Sequence, residues 1–228
     1  MTRTRRPFPL ALTGLVALFS ALLALALSGG SAAAHGVTPH GGSAQAAVSD
    51  RELDLRNAMR KLWEDHVTWT RLAVISLLGD TPDTQATVNR LLRNQTDIGN
   101  AIKPFYGRAA GNQLTALLRQ HILIAADVIA AAKAGNQKAL TKSQARWAAN
   151  ANQIARFLNR ANPRSWKLGE MRAMLFEHLA LTTNEVVNRL QRRWGADVAN
   201  YERIHVQALE MADMLSGGIV SQFPGRFD

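Results

Sequence analysis

The chain has 228 residues, is 47% hydrophobic, carries a formal net charge of +10 and contains no cysteine. That length suits one domain or two small ones, with enough apolar material for a core. Without cysteine there is no disulfide framework and no thiolate chemistry, so packing alone must hold the fold.

The first 34 residues read as an address. Arg3, Arg5 and Arg6 form a basic start, and Pro9 to Leu27 is an apolar run broken by Thr13, Gly14 and Ser20. Ser31, Ala32, Ala33 and Ala34 supply the small residues of a cleavage site, so we expect a signal peptide cut after Ala34. The rival is an uncleaved anchor, because the run approaches membrane-spanning length. Residues 35–49, rich in Gly, Ser and Ala with His35 and His40, read as a flexible spacer. From His35 onward the chain carries 24 Lys/Arg and 17 Asp/Glu, a net +7. A basic exported protein favours anionic partners such as envelope polymers or lipid headgroups. Specific nucleic-acid binding is not indicated. No Lys/Arg run after His35 exceeds two residues, and aromatics do not alternate with basic residues.

From Asp50 onward apolar residues recur at three and four, with Gly and Pro between segments rather than within them. The expected class is all-α, with helices at about 50–78, 83–103, 108–133, 137–160, 167–192 and 195–216. Gly79, Gly135 and Gly195 fall where each helical hairpin turns, as a helix C-cap prefers.

The pattern repeats three times. Aligning His66, His121 and His178 brings Leu62, Leu117 and Met174 into one column, and Asp65, Gln120 and Glu177 into another. In the partner helices Arg90, Arg146 and Arg203 align, as do Asn94, Asn150 and Gln207. Amphipathicity alone would match the apolar columns but not the Arg, His and amide columns, so the spacing indicates tandem hairpins over 50–103, 108–160 and 167–216. Three hairpins can close into a six-helix bundle or stack as a solenoid. A bundle over 50–222 with a short tail at 223–228 is expected, since three repeats are few for a solenoid and no capping helix is evident.

Each repeated histidine lies on an apolar stripe. His66 and Asn94 should reach the same height on antiparallel neighbours, as should His121 with Asn150 and His178 with Gln207. Two uses follow. A buried imidazole needs partners and a carboxamide offers both donor and acceptor, so each pair can lock its own hairpin. Alternatively, His66, His121 and His178 converge on a transition metal or a small polar ligand, with Glu64, Asp65, Glu177 and Glu210 nearby. Otherwise no cofactor is called for. Glu202 and His205 make one Glu-x-x-His, where a di-iron bundle needs two and further carboxylates. No glycine-rich phosphate loop, Gly-x-Ser-x-Gly or His-Glu-x-x-His occurs, so no catalytic residue is assigned.

The segments Leu62 to Arg71, Asn94 to Gly107 and Glu177 to Thr182, with the closing Gly218 to Pro224, resemble a family of exported helical proteins of soil bacteria. The resemblance spans residues 52–224. Some members bear names such as acetylglutamate kinase or glycosyltransferase. It implies export and an all-helical fold and brings no catalytic residues. The nucleotide loop and α/β alternation those names would require are missing here.

Overall fold

The structure, a computed structural model, describes residues 48–228. The signal-peptide reading of 1–34 and all but the last two residues of the spacer lie outside the described residues.

Six helices follow in order: α1 Asp50–Gly79, α2 Thr84–Ala101, α3 Lys103–Lys133, α4 Gln137–Ala161, α5 Leu168–Leu190 and α6 Trp194–Gln222, with a final 3-10 turn at Pro224–Arg226. No strand occurs among the described residues. Each helix packs on the next, and α6 returns to α1, so the bundle is a closed ring. Contacts of α1 with α3 and α5 draw the histidine-bearing helices inward. The apolar stripes meet in one main core that includes Trp63, Trp147, Trp166, Leu179 and Met211. By length and composition α3 could cross a membrane, but here it packs within the ring.

The ends obey local chemistry. Ser49 caps α1 by accepting from the Glu52 amide at 3.2 Å, and Asn136 caps α4 through Ala139 N at 3.0 Å. Gly135 takes the left-handed conformation expected of it, with φ 63°. The other two hairpins differ from the sequence reading. Asp80 (φ 52°) and Arg192 (φ 58°) adopt that conformation, while Gly79 ends α1 and Gly195 lies in the first turn of α6. Gly107, with φ 84°, breaks α3 after its first turn, so the regular helix begins at Arg108.

The last helix runs six residues past the expected end at 216, straight through Gly217 and Gly218. Gly218 acts through its missing side chain. A Cβ there would lie 2.1 Å from Trp166 Nε1, and Asn162 Nδ2 donates to the Gly218 carbonyl at 2.7 Å. Phe227 then folds back, buried, with its ring 5.8 Å from Phe105. Gly218→Ala should therefore lower the melting temperature. In an open helix the same change gains up to about 1 kcal/mol, but overpacking against a buried indole costs about 1–3 kcal/mol. Thermal melts followed by circular dichroism give the sign, and a rise would show that Trp166 can shift aside.

Candidate functional site

The three inner helices place His66, His121 and His178 side by side in the core, each about 5% exposed. The His178 ring centroid is 5.8 Å from that of His66 and 6.3 Å from that of His121. Each ring also turns toward the second helix of its own hairpin. His121 Nδ1 lies 2.8 Å from Asn150 Oδ1, and His178 Nδ1 lies 3.3 Å from Gln207 Oε1. So the structure brings the three histidines together and holds two of them against their expected amides.

The amides are themselves anchored. Asn94, Asn150 and Gln207 donate to the carbonyls of Leu62, Leu117 and Met174 at 2.9, 3.1 and 3.0 Å. Each of those carbonyls belongs to the residue one turn before the histidine. In the second and third hairpins the atom facing the ring is the amide oxygen, which can only accept. This assigns Nδ1 of His121 and His178 as the protonated nitrogen. In His121 the other nitrogen is also occupied, because the Trp147 indole donates to Nε2 at 3.1 Å.

His66 is the exception. Gln95 Nε2, from the residue after the expected Asn94, lies 3.2 Å from its Nδ1. The same nitrogen donates to Leu91 O at 2.9 Å and Asn94 Oδ1 at 3.0 Å. A carboxamide has two N–H bonds, so these three contacts compete. Gln95 is fully buried where the aligned positions hold Ala151 and Ala208, and its Oε1 has no hydrogen-bond partner. The sequence reading missed it, since a glutamine beside Asn94 looks like part of a polar face.

Burial sets the electrostatics. It pushes His66 and His121 down to about 3 and His178 to about 4, because the apolar surroundings disfavour an imidazolium. The neighbouring rings lower His66 and His121 further, while the amides of Asn94, Asn150 and Gln207 oppose the shift. At neutral pH all three imidazoles are uncharged.

A metal bound to three ring nitrogens at about 2.0–2.1 Å would bring those nitrogens within about 3–4 Å of one another. Among the described residues no group of three or more His, Asp or Glu side chains is arranged to hold a metal ion. The carboxylates proposed as additional ligands are engaged elsewhere or line the surface. Glu64 pairs with His205 Nε2 at 2.7 Å, tying α1 to α6. Asp65 pairs with Arg90 at 3.0 Å. Glu177 and Glu210 line an open groove of about 880 Å³ along α5 and α6, whose wall includes Gln207. His205 thus answers to Glu64 rather than to Glu202.

A second polar centre escaped the sequence reading. Glu185 and Asp197, each 1% exposed, share the Arg71 guanidinium. Arg71 Nη1 lies 2.7 Å from Glu185 Oε1, and Nη2 lies 2.6 Å from Asp197 Oδ2. Arg189 reaches Asp197 Oδ2 at 2.8 Å, and Tyr201 stacks under Arg71 at 5.0 Å. Burial pulls Arg71 down, but its bonds to Asp197 and Glu185 outweigh that and leave it raised. Burial pushes Glu185 up against the pull of Arg71. A usable signal was present: Glu185 continues the His178, Leu181, Thr182 stripe at the next helical position, so it had to be inside. The two acids and two arginines satisfy one another, which makes this a clasp between α1, α5 and α6.

Compared with known proteins, the chain matches no family model, no curated protein and no solved structure.

Proposed function

We propose that the chain is an exported, non-catalytic binding module made of three tandem hairpins, and that it engages anionic polymers of the cell envelope. The observation that carries this reading is the division of charge. The chain from His35 onward is net +7, while its three central histidines sit uncharged in the core. A catalytic acid or base needs a reachable proton, and these histidines are 5% exposed and bonded to amides or the Trp147 indole. The tandem reading is supported by the equivalent amide-to-carbonyl bonds of Asn94, Asn150 and Gln207. The histidine–amide pairs serve as locks, each contributing about 1 kcal/mol net and costing more when one partner is stranded.

Two measurements test this. The protein should be retained on immobilised polyanion and released by a few hundred millimolar salt, since screening then acts within about 3–5 Å. Retention that ignores salt would point to a shaped site instead. Amino-terminal sequencing of protein recovered outside the cell should give a start at His35.

A transition metal held by His66, His121 and His178 is the competing reading, motivated by ring centroids only 5.8 and 6.3 Å apart. The Trp147 bond to His121 Nε2 weighs against it. Elemental analysis of protein purified without a histidine tag should find no stoichiometric metal. One equivalent, lost in His121→Ala, would replace the lock with a metal centre.

A further inference from the structure

We infer that the polyanion runs along the outer face of α4, an inference that rests on the binding reading above. The six helices divide their charge unevenly. Five bases and no acid lie on α4, whereas α6 carries one base and four acids and α1 five of each. Around the ring, α3 and α4 form a basic side, and α5 and α6 an acidic one. The bundle therefore has an electrical polarity that orients it toward a negative partner during approach.

On α4 the bases are also in line. Lys138, Lys142, Arg146, Arg156 and Arg160 are all exposed. At 3.6 residues per turn they fall within an arc of about 80° and span about 33 Å, with steps of about 6 Å between neighbours in each cluster. Between Arg146 and Arg156 the same face shows exposed Ala149 and Gln153, one small and one neutral, so a passing anionic chain meets neither bulk nor repulsion there. Among these five bases only Arg146 has a carboxylate beside it, Asp127 at 3.0 Å. Of these bases the repeat calls only for Arg146, which aligns with Arg90 and Arg203. In the register that aligns Asn94, Asn150 and Gln207, Lys142 corresponds to Ala86 and Ala199, and Arg156 to Asn100 and Asp213.

The shape selects the partner. A bilayer-seeking helix would show Trp, Phe or Leu on its outer face, and single-stranded nucleic acid would want aromatic platforms. The basic line on α4 offers neither. A ribbon one helix wide and about 33 Å long fits a flexible linear polymer with regularly spaced phosphate charges.

Long-chain inorganic polyphosphate is the probe. With about five charges neutralised, affinity should fall roughly 100-fold between 50 and 200 mM salt, and only about 3-fold once four of the five are removed. The test variant is Lys138→Gln, Lys142→Gln, Arg156→Gln and Arg160→Gln together. Its control is Lys61→Gln, Arg93→Gln, Arg108→Gln and Arg193→Gln, which lowers the net charge equally from exposed positions elsewhere. Glutamine keeps helix propensity, and circular dichroism verifies that both variants fold. Loss of the steep salt dependence in the α4 variant alone supports the inference. Equal loss in both variants overturns the α4 assignment while leaving the binding reading in place. No polyphosphate binding by the wild type removes the reading itself. Stronger binding to anionic phospholipid vesicles or duplex DNA at matched charge, or salt-sensitive self-association without polymer, would assign α4 to a different occupant and overturn the proposal.

Discussion

Lowering the pH from 7 to about 4.5 should unfold the bundle, with the three central histidines as the cause. Above pH 6.5 the imidazoles are neutral in both the folded and the unfolded chain, and the folded state keeps its full stability. Below 6.5 the unfolded chain takes up protons that the buried rings refuse until pH 3 or 4. Stability therefore falls as pH falls through that window. Each histidine contributes a slope of about 1.4 kcal/mol per pH unit, so three give about 4. A domain holding about 5–15 kcal/mol loses most of that within two or three pH units. Denaturant melts at pH 7.5, 6.0 and 5.0 measure the slope directly. His178→Gln should remove about a third of it, even if the variant starts from a lower stability. A stability unchanged between pH 7 and 5 would mean that the rings are protonated already or reach solvent.

The second large effect belongs to Arg71. Arg71→Leu strands Glu185 and Asp197 in the core with only Arg189 to answer them. Breaking a buried pair from one side costs about 3–5 kcal/mol, which lowers the melting temperature by roughly 6–20 °C at this size. Arg60→Leu breaks the exposed pair with Asp213 and should barely move it. Replacing Arg71 and both acids, as Arg71→Met with Glu185→Leu and Asp197→Leu, should restore much of the loss, because Arg189, the fourth member, is partly exposed and still lies over the Trp194 ring. Desolvating a paired set of charges returns little net stability. A single variant as stable as the parent would show that water reaches Glu185 and Asp197.

These two centres differ in how far the sequence announced them. The histidines could be placed because they lie on apolar stripes and keep a nearly constant offset from an amide on the next helix; His66 departs from its expected Asn94 and meets Gln95, one residue on. Helical geometry turns that offset into equal height. Glu185 was legible on its stripe, but Gln95 and Arg71 could not be read the same way. A glutamine next to an asparagine, or an arginine ending a polar stretch, matches a solvated face equally well. Which of them turns inward is set by the packing of neighbouring helices and not by the local pattern. Of the three hairpin turns, the left-handed residue was legible only at Gly135; at the other two Asp80 and Arg192 take that conformation near the expected glycines. The end of α6 was misplaced at Gly217 and Gly218, where the missing side chain makes room for Trp166 instead of ending the helix. The Trp147 bond to His121 was hidden because Trp147 shares an apolar column with Leu91 and Ile204, and nothing in that column asks for an N–H donor.

The way the ring closes bears on how the chain acquires its shape in time. Three contacts seal α1 to α6, Arg60 to Asp213, Glu64 to His205 and Arg71 to Asp197, and a fourth joins Arg51 to the Asp228 carbonyl just beyond α6. They join residues 153, 141, 126 and 177 positions apart. The first of the described helices must therefore wait for the last of them. At about 5–20 residues per second on the ribosome, Met59 and Trp63 stay without their final neighbours for roughly ten seconds or longer. Over that interval the nascent chain is a natural client for a holding chaperone, and an interruption before α6 leaves a sticky fragment in place of a smaller working bundle.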